Sequence, residues 1–370
     1  MFRSALVTAC ALATITAPVA GTQDLGSLTG SAQGAGSLTA GSLEALGSAG
    51  PTTFDLQAHR GGLGLNTESS PYSFGAALEM GVSTLELDTQ ITRDGKVVVT
   101  HDRKTNPGVC TDTTPATPGD PQFPYVGKYV KDLTLAQIKT LDCGSVRKAR
   151  FDRQATHPGS QMMELKDVFA LVKAHRAWGV KMNIETKVEA GAPEQTAPRE
   201  EFVRLVHDEI AASGLARQVT IQSFDWGALK AMHAIDPTLP LVALTNGDFL
   251  QVGQAGASPW LGGIDVDDFG GDGVKAAHSI AGVTAYSPVA TQPQDCSVVD
   301  ATCTPYVTRA MVDTAHSLGM KVIPWTVDDE ATMNHLMDLG VDGIITDYPD
   351  VLRQVMTTRG MALPQAYPKA

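Results

Sequence analysis

The stretch Ser83-Thr84-Leu85-Glu86-Leu87-Asp88-Thr89-Gln90-Ile91 decides how this chain is read. It has the apolar and β-branched residues of a strand, yet two acids stand two positions apart in its middle. Side chains alternate faces along a strand, so Glu86 and Asp88 project from the same face. Two carboxylates aimed into one space repel each other unless a cation lies between them. Glu185 and Lys187 repeat the spacing on a second run at 180–186, adding a third acid and one positive charge. Three carboxylates with no local cysteine or clustered imidazole favour a hard ion, Ca²⁺ or Mg²⁺. The competing account is a set of salt-bridged polar residues inside the fold. Either pair alone fits that account; both in one chain favour the metal.

Outward from that strand, short β-rich runs alternate with amphipathic helical stretches. Strands are predicted at 54–59, 83–91, 180–186, 218–223, 240–245, 262–266, 283–287, 320–327 and 342–346. Helical periodicity runs over 71–80, 165–178, 200–213, 226–234, 305–318, 330–339 and 348–357. Such alternation builds a parallel sheet with helical crossovers. About eight units in roughly 300 residues make an α/β chain folded as a (β/α)₈ TIM barrel the better choice over an open sheet. Polar residues at or beyond strand ends agree: His59, Glu86, Asp88, Glu185, Lys187, Gln222, Trp325 and Asp347 would converge on the barrel's C-terminal face. A dinucleotide-binding fold would want a Gly-x-Gly-x-x-Gly turn after its first strand, and none is present. The segment 103–161, rich in Pro, Thr and Gly with one helical piece at 132–141, breaks the alternation. It reads as a small insertion after the second βα unit region, capping the mouth.

The ends and the composition narrow the setting. Arg3, the uncharged run Ala5 to Ala17 and the small residues Val19, Ala20 and Gly21 fit a secretory signal peptide over 1–21, so the mature protein is expected outside the cell. Residues 22–50, with Gly-Ser-Leu at 26–28, 36–38 and 41–43, read as a flexible linker ahead of a domain at 51–370. The apolar run is too short to span a bilayer and no second candidate follows, which predicts no stable membrane insertion. With 40 Asp and Glu against 28 Lys and Arg, the chain lacks the basic stripe that nucleic acid would require. No feature of the sequence bears on oligomeric state. Loss of Cys10 with the signal peptide leaves four cysteines, and an even number in an exported chain suggests two disulfides. Of three possible pairings, Cys110–Cys143 and Cys296–Cys303 are favoured, since each pair brackets a polar, Pro-containing insertion.

His59 and His101 close successive β-runs and could flank a bound phosphate, one as proton acceptor and the other as donor. Arg60 can clamp a phosphoryl oxygen, and Gly61 and Gly62 would let the backbone approach a ligand. The remaining histidines (157, 175, 207, 233, 278, 316 and 335) are assigned structural or surface roles.

With these residues in place, the chain resembles the glycerophosphodiester phosphodiesterases. The resemblance rests on His59-Arg60-Gly61, Glu86-Leu87-Asp88, Thr92-Arg93-Asp94-Gly95 and His101-Asp102. It extends through Asn183-Ile184-Glu185-Thr186-Lys187, Gln222-Ser223-Phe224-Asp225, Trp325-Thr326-Val327-Asp328 and the run Asp342 to Pro349. It implies a TIM barrel with one divalent cation on Glu86, Asp88 and Glu185, with Ca²⁺ favoured over Mg²⁺ by export. It implies His59 and His101 as the acid/base pair, Arg60 and Lys187 on the phosphate, and Trp325 lining the substrate side of the mouth. Glu68 matches the family's acid in a Pro-Glu-Asn-Thr turn, where this chain has Asn66-Thr67-Glu68-Ser69-Ser70. The activity implied is hydrolysis of small glycerophosphodiesters to glycerol 3-phosphate and an alcohol. The alternatives are a lysophospholipase D or sphingomyelinase D-like enzyme, a wall teichoic acid hydrolase on the same site, and a non-catalytic phosphodiester-binding protein.

Overall fold

The computed structural model describes residues 53–369. The signal peptide expected at 1–21 and the linker expected at 22–50 lie outside the described residues. The strands in chain order are β1 (Asp55–Ala58), β2 (Thr84–Ile91), β3 (Val97–Val99), β4 (Lys181–Thr186), β5 (Val219–Ser223) and β6 (Leu241–Thr245). They continue with β7 (Val283–Pro288), β8 (Thr291–Gln292), β9 (Thr304–Pro305), β10 (Lys321–Val322) and β11 (Gly343–Thr346). The helices are α1 (Pro71–Met80), α2 (Leu135–Ile138), α3 (Leu165–Ala174), α4 (Arg199–Ser213) and α5 (Trp226–Ile235). After them come α6 (Gly273–His278), α7 (Arg309–Ser317), α8 (Glu330–Asp338) and α9 (Pro349–Thr358).

Eight strands run parallel in the order β10-β7-β6-β5-β4-β2-β1-β11, with β3 folded back antiparallel on β2. The two outer strands meet. Asp342 N–H donates to Val322 O, Ile345 N–H to Pro324 O and Val327 N–H to Ile345 O at 2.9–3.1 Å, nearly closing a (β/α)₈ barrel. The predicted strand at 320–327 shrinks to Lys321–Val322 because Pro324 has no N–H to give a continuous ladder. The strand predicted at 262–266 is absent. That segment belongs to the connection from β6 to α6, where single 3₁₀ turns at Pro259–Leu261 and Val266–Phe269 flank Gly262 and Gly263. The helix α6 escaped periodicity because it is only six residues long.

β2 shows why the sequence takes this form. All eight of its residues are buried. Leu85 and Leu87 join the apolar layer between barrel and helices, where each buried leucine contributes about 1.5–3 kcal/mol. Glu86 and Asp88 point the other way, into the lumen. The lumen itself is divided. On one side Asn183 donates to Gln57 (3.1 Å) and Gln222 (2.7 Å), and Gln222 donates to Glu86 (2.6 Å). On the other, Val242, Ala285, Ile323 and Ile345 pack beneath Trp325. The polar half thus supports the acids, and the apolar half supports the indole.

The insertion 103–161 has a small core of its own, built on Tyr125, Val130, Leu133, Ile138 and Leu141 and closed by the Cys110–Cys143 disulfide. Its helix is one turn, Leu135–Ile138, started by a Thr134/Gln137 capping box rather than running over 132–141. The second bridge, Cys296–Cys303, ties the excursion between β8 and β9. Among the described residues no helix is long and apolar enough to cross a membrane.

Candidate active site

The parallel register of β2 on β4 sets Asp88 opposite Glu185 and Glu86 opposite Asn183. Glu86, Asp88 and Glu185 each bring a carboxylate oxygen within 4.8 Å of the others, and all three are buried. Two cations face them: Lys187 Nζ lies 3.1 Å from Glu185 and 3.7 Å from Asp88, and Arg60 Nε lies 3.2 Å from Asp88. Fully ionised, three buried acids against two bases would carry one net negative charge. Burial, and then the charge of Asp88, raise Glu86 well above the usual carboxylate range. Burial also pushes Glu185 up, to about 8. Asp88 moves down: burial alone would raise it, but His101, Arg60 and Lys187 favour its charged form. Asp88 Oδ2 is buried and makes no well-aligned hydrogen bond, its nearest polar neighbour being Arg60 Nε at 3.2 Å. Three buried carboxylates converging on one space are the donor set a hard divalent cation takes, so these residues fit one.

The two histidines stand on different structures. His59 ends β1, where the chain turns through Arg60 (φ 49°), Gly61 (φ 84°) and Gly62 (φ 90°). A Cβ on Gly61 would sit 2.7 Å from Ser73 Oγ and 2.9 Å from Phe74 N, so only glycine fits against the start of α1. Gly61 and Gly62 therefore let the turn approach α1 and Pro349. The turn also aims the Arg60 N–H at Glu86 Oε2 (2.9 Å). His59 Nδ1 bonds Asp347 Oδ1 at 2.5 Å, and its Nε2 lies 4.0 Å from Glu86. His101 follows the β2–β3 hairpin, which Thr100 N–H ties to Asp88 O (3.1 Å). Its Nδ1 bonds Asp102 at 2.8 Å, and Asn106 holds Asp102 in turn at 2.5 Å. Each ring thus has one nitrogen held by a carboxylate and one facing the cleft. Burial, with the Arg60 charge, holds His59 down at about 3; burial with Arg60 and Lys187 holds His101 at about 4. Both rings are neutral in the free protein near pH 7.

Asp347 is wholly buried, and burial lifts it to about 6. Its backbone N–H donates to Asp328 (2.9 Å), and Arg150 of the insertion reaches its other oxygen at 3.4 Å. Glu68 pairs with Arg60 at 3.2 Å and also with Lys148 of the insertion. Burial alone would raise Glu68, but those two cations keep it low. Trp325 donates its indole N–H to Ser287 O (3.0 Å) and meets Phe224 edge-on.

All the residues singled out in sequence as site residues come together here: His59, Arg60, Glu68, Glu86, Asp88, His101, Glu185, Lys187 and Trp325. Missed were Asp102 and Asp347 as partners of the histidines, and Lys148 and Arg150. Asp347 stood in the recognised Thr-Asp-Tyr-Pro run. Nothing near Lys148 or Arg150 in sequence marks them. His157, assigned a structural role, stacks on Tyr72 at 3.9 Å.

The cleft has two connected chambers. The inner one, about 230 Å³, is lined by both histidines, the three acids and Trp325. An outer one, about 540 Å³, shares His101, Glu185, Lys187 and Phe224 with it. His59 lines only the inner chamber.

Residues 59–351 match the model of the glycerophosphoryl diester phosphodiesterase family. A glycerophosphodiester phosphodiesterase of Bacillus subtilis (strain 168) is 28% identical over 305 residues, covering 80% of this chain and 85% of its own. One from Caldanaerobacter subterraneus is 28% identical over 306 residues, covering 82% and 98%. A crystal structure from Silicibacter pomeroyi DSS-3 superposes with a TM-score of 0.68 at 26% identity, over 84% of this chain and 96% of that one. An Oleispira antarctica phosphodiesterase solved with the product sn-glycerol-3-phosphate shares the fold, with a TM-score of 0.56 at 18% identity over 82% and 96%.

Proposed function

This chain belongs to the glycerophosphoryl diester phosphodiesterase family and is an enzyme of that class, and we propose that it is an exported, cation-dependent hydrolase releasing glycerol 3-phosphate by two-histidine catalysis. The observation that carries the reading is the pair of carboxylate-held histidines on either side of a three-acid cluster. Export is supported by the signal-like N-terminus and by two disulfides in the described residues.

Glu86, Asp88 and Glu185 would hold the cation, and Ca²⁺ is favoured because three carboxylates suit its larger, oxygen-rich shell better than that of Mg²⁺. When bound, it would withdraw charge from a phosphoryl oxygen as a Lewis acid. Arg60 and Lys187 supply fixed positive charge to the phosphate, which strengthens as charge builds in the transition state. His59, its Nδ1–H held by Asp347, presents Nε2 as an acceptor in the inner chamber. It takes the proton of the glycerol 2-hydroxyl, whose oxygen attacks phosphorus. His101 stands where the chambers join and protonates the leaving alcohol oxygen as its bond to phosphorus breaks. An anionic phosphate between Arg60 and Lys187 offsets the two charges that, with burial, depress His101, so on substrate binding the ring takes a proton from solvent at Nε2 and enters the step as the imidazolium that donates it. Water then opens the cyclic phosphate with the roles reversed: His101 accepts the water proton and His59 returns one to the 2-oxygen.

The test is release of glycerol 3-phosphate from glycerophosphocholine and glycerophosphoinositol, with chelator and then with Ca²⁺ or Mg²⁺ restored. Chelator-sensitive release, restored best by Ca²⁺ and lost in His59→Ala, is expected. A diester lacking the 2-hydroxyl should resist cleavage; if it is cut equally well, water attacks directly. Recovery of the chain from the culture medium with residues 1–21 removed checks export.

A further inference from the structure

We propose that the outer chamber is the subsite for the leaving alcohol, and that it is built for a polyhydroxylated ring such as a cyclitol or sugar rather than a quaternary ammonium or an acyl chain. The inference rests on the phosphodiesterase reading above. The chamber opens directly off His101, the group placed to protonate the departing oxygen, so whatever that oxygen carries must lie there.

Its walls are of two kinds. One is an aromatic ridge continuous with the inner chamber: Trp325 meets Phe224 edge-on at 5.3 Å, Phe224 meets Phe249 at 5.5 Å, and Phe249 stacks flat on Trp260 at 4.0 Å. Ridges of this kind accept the C–H face of a saturated ring. The other wall is polar. Asn246 uses its carbonyl to accept from Phe249 N–H (3.1 Å), and its amide N–H groups donate to none of the described residues. Lys104 also forms no ion pair among the described residues, although Arg103 beside it is paired with Glu189. Unused donors opposite an aromatic ridge suit several hydroxyls held in one orientation.

The same features disfavour the other common alcohols. A quaternary ammonium needs aromatic faces turned toward it. Here the Lys104 ammonium lies 4.5 Å from the Tyr129 ring and Lys187 lies 5.6 Å from Phe224. A second cation would meet two lysines where it wanted bare rings. An acyl chain would leave Lys104 and Asn246 without partners in a dry contact, which costs free energy.

The experiment compares kcat/KM for glycerophosphoinositol and glycerophosphocholine in the wild-type enzyme, Trp260→Ala and Lys104→Ala. The wild type should prefer the inositol diester by about tenfold or more, equivalent to about 1.4 kcal/mol. Trp260→Ala should erase most of that preference by lowering the inositol value. Lys104→Ala, at an exposed side chain whose ammonium lies over the Tyr129 ring, should narrow the preference by raising the choline value. Inhibition of the wild-type enzyme by free inositol, stronger than by choline, gives the same answer without any variant. Equal or reversed preference, or a preference that neither variant alters, overturns the subsite while leaving phosphodiesterase activity standing. Failure to release glycerol 3-phosphate from either diester overturns the phosphodiesterase reading and the subsite together.

Discussion

Replacing Asp347 by asparagine should disable His59 without disturbing the cation site. The carboxylate is wholly buried; Oδ1 holds His59 Nδ1 at 2.5 Å while Oδ2 faces Arg150 at 3.4 Å. Asparagine keeps the shape but has one donor end and one acceptor end. With its oxygen toward His59, its NH₂ confronts the Arg150 guanidinium, donor against donor. With its NH₂ toward His59, Nδ1 becomes the acceptor and the proton moves to Nε2, the nitrogen needed as base. Both orientations cost the equivalent of a charge-assisted hydrogen bond, about 1.5–3 kcal/mol. At tenfold per 1.36 kcal/mol, kcat should fall roughly 10- to 150-fold. KM and Ca²⁺ affinity should move little, because Asp347 touches neither the three acids nor Lys187. Stability is not the reason for the loss. Burial raises Asp347 to about 6, so the folded state binds its proton more tightly than the unfolded chain does, and the carboxylate costs stability as pH rises from near 4 through 6. Removing it should leave Tm at pH 7.5 unchanged or higher. The assay is steady-state glycerol 3-phosphate release, with nitrogen-15 NMR of His59 to read the tautomer. A kcat within threefold of wild type would refute the reasoning, and the His59 tautomer reports which orientation the asparagine takes.

Four further outcomes follow from the same structure. Glu185→Gln should abolish calorimetric Ca²⁺ binding yet raise the Tm of the cation-free protein at pH 8. Glu185 is pushed up to about 8, so the wild-type fold loses stability as pH rises from its unfolded value through 8, and the amide does not. Saturating the wild type with Ca²⁺ at about 100 times Kd should return about 2.7 kcal/mol, seen as a chelator-reversible rise in Tm. Joint replacement of Cys110 and Cys143, which close a separation of 33 residues, should cost about 3–4 kcal/mol in a denaturant titration. It should also lower kcat, since Lys148 and Arg150 reach the site from just beyond the tied segment. Gly61→Ala forces a Cβ into Ser73 and Phe74 at a positive φ, so it should cost at least about 1–3 kcal/mol and depress activity by displacing His59.

Much of this was legible in the chain because barrel chemistry is written on strands. Glu86, Asp88, Glu185 and Lys187 could be paired from their two-residue spacing alone, and the register of β2 on β4 then brought them together. The false strand at 262–266 and the overlong strand at 320–327 came from apolar runs whose backbones cannot form a ladder, one broken by Gly262 and Gly263 and the other by Pro324. What stayed hidden depends on distant approach. Arg150 and Lys148 act only because the insertion folds over the mouth, and ordinary surface lysines and arginines look the same in sequence. Asp347 sat inside a quoted motif, but its service to His59 depends on the β1–β11 pairing that joins the two ends of the barrel.

The pairing of β2 with β4 has a consequence for how the molecule matures. Asp88 and Glu185 come from strands separated in sequence by the whole insertion and α3, and they face each other only in the native register. A slip of one residue would turn one acid out of the lumen and an apolar neighbour into it. Cation affinity therefore arrives with correct strand pairing and not before. Ca²⁺ can then act as a late fastener that rewards a finished barrel without recruiting partly folded chains. With the export proposed above, that would keep the ion from fastening the polypeptide before its strands have paired.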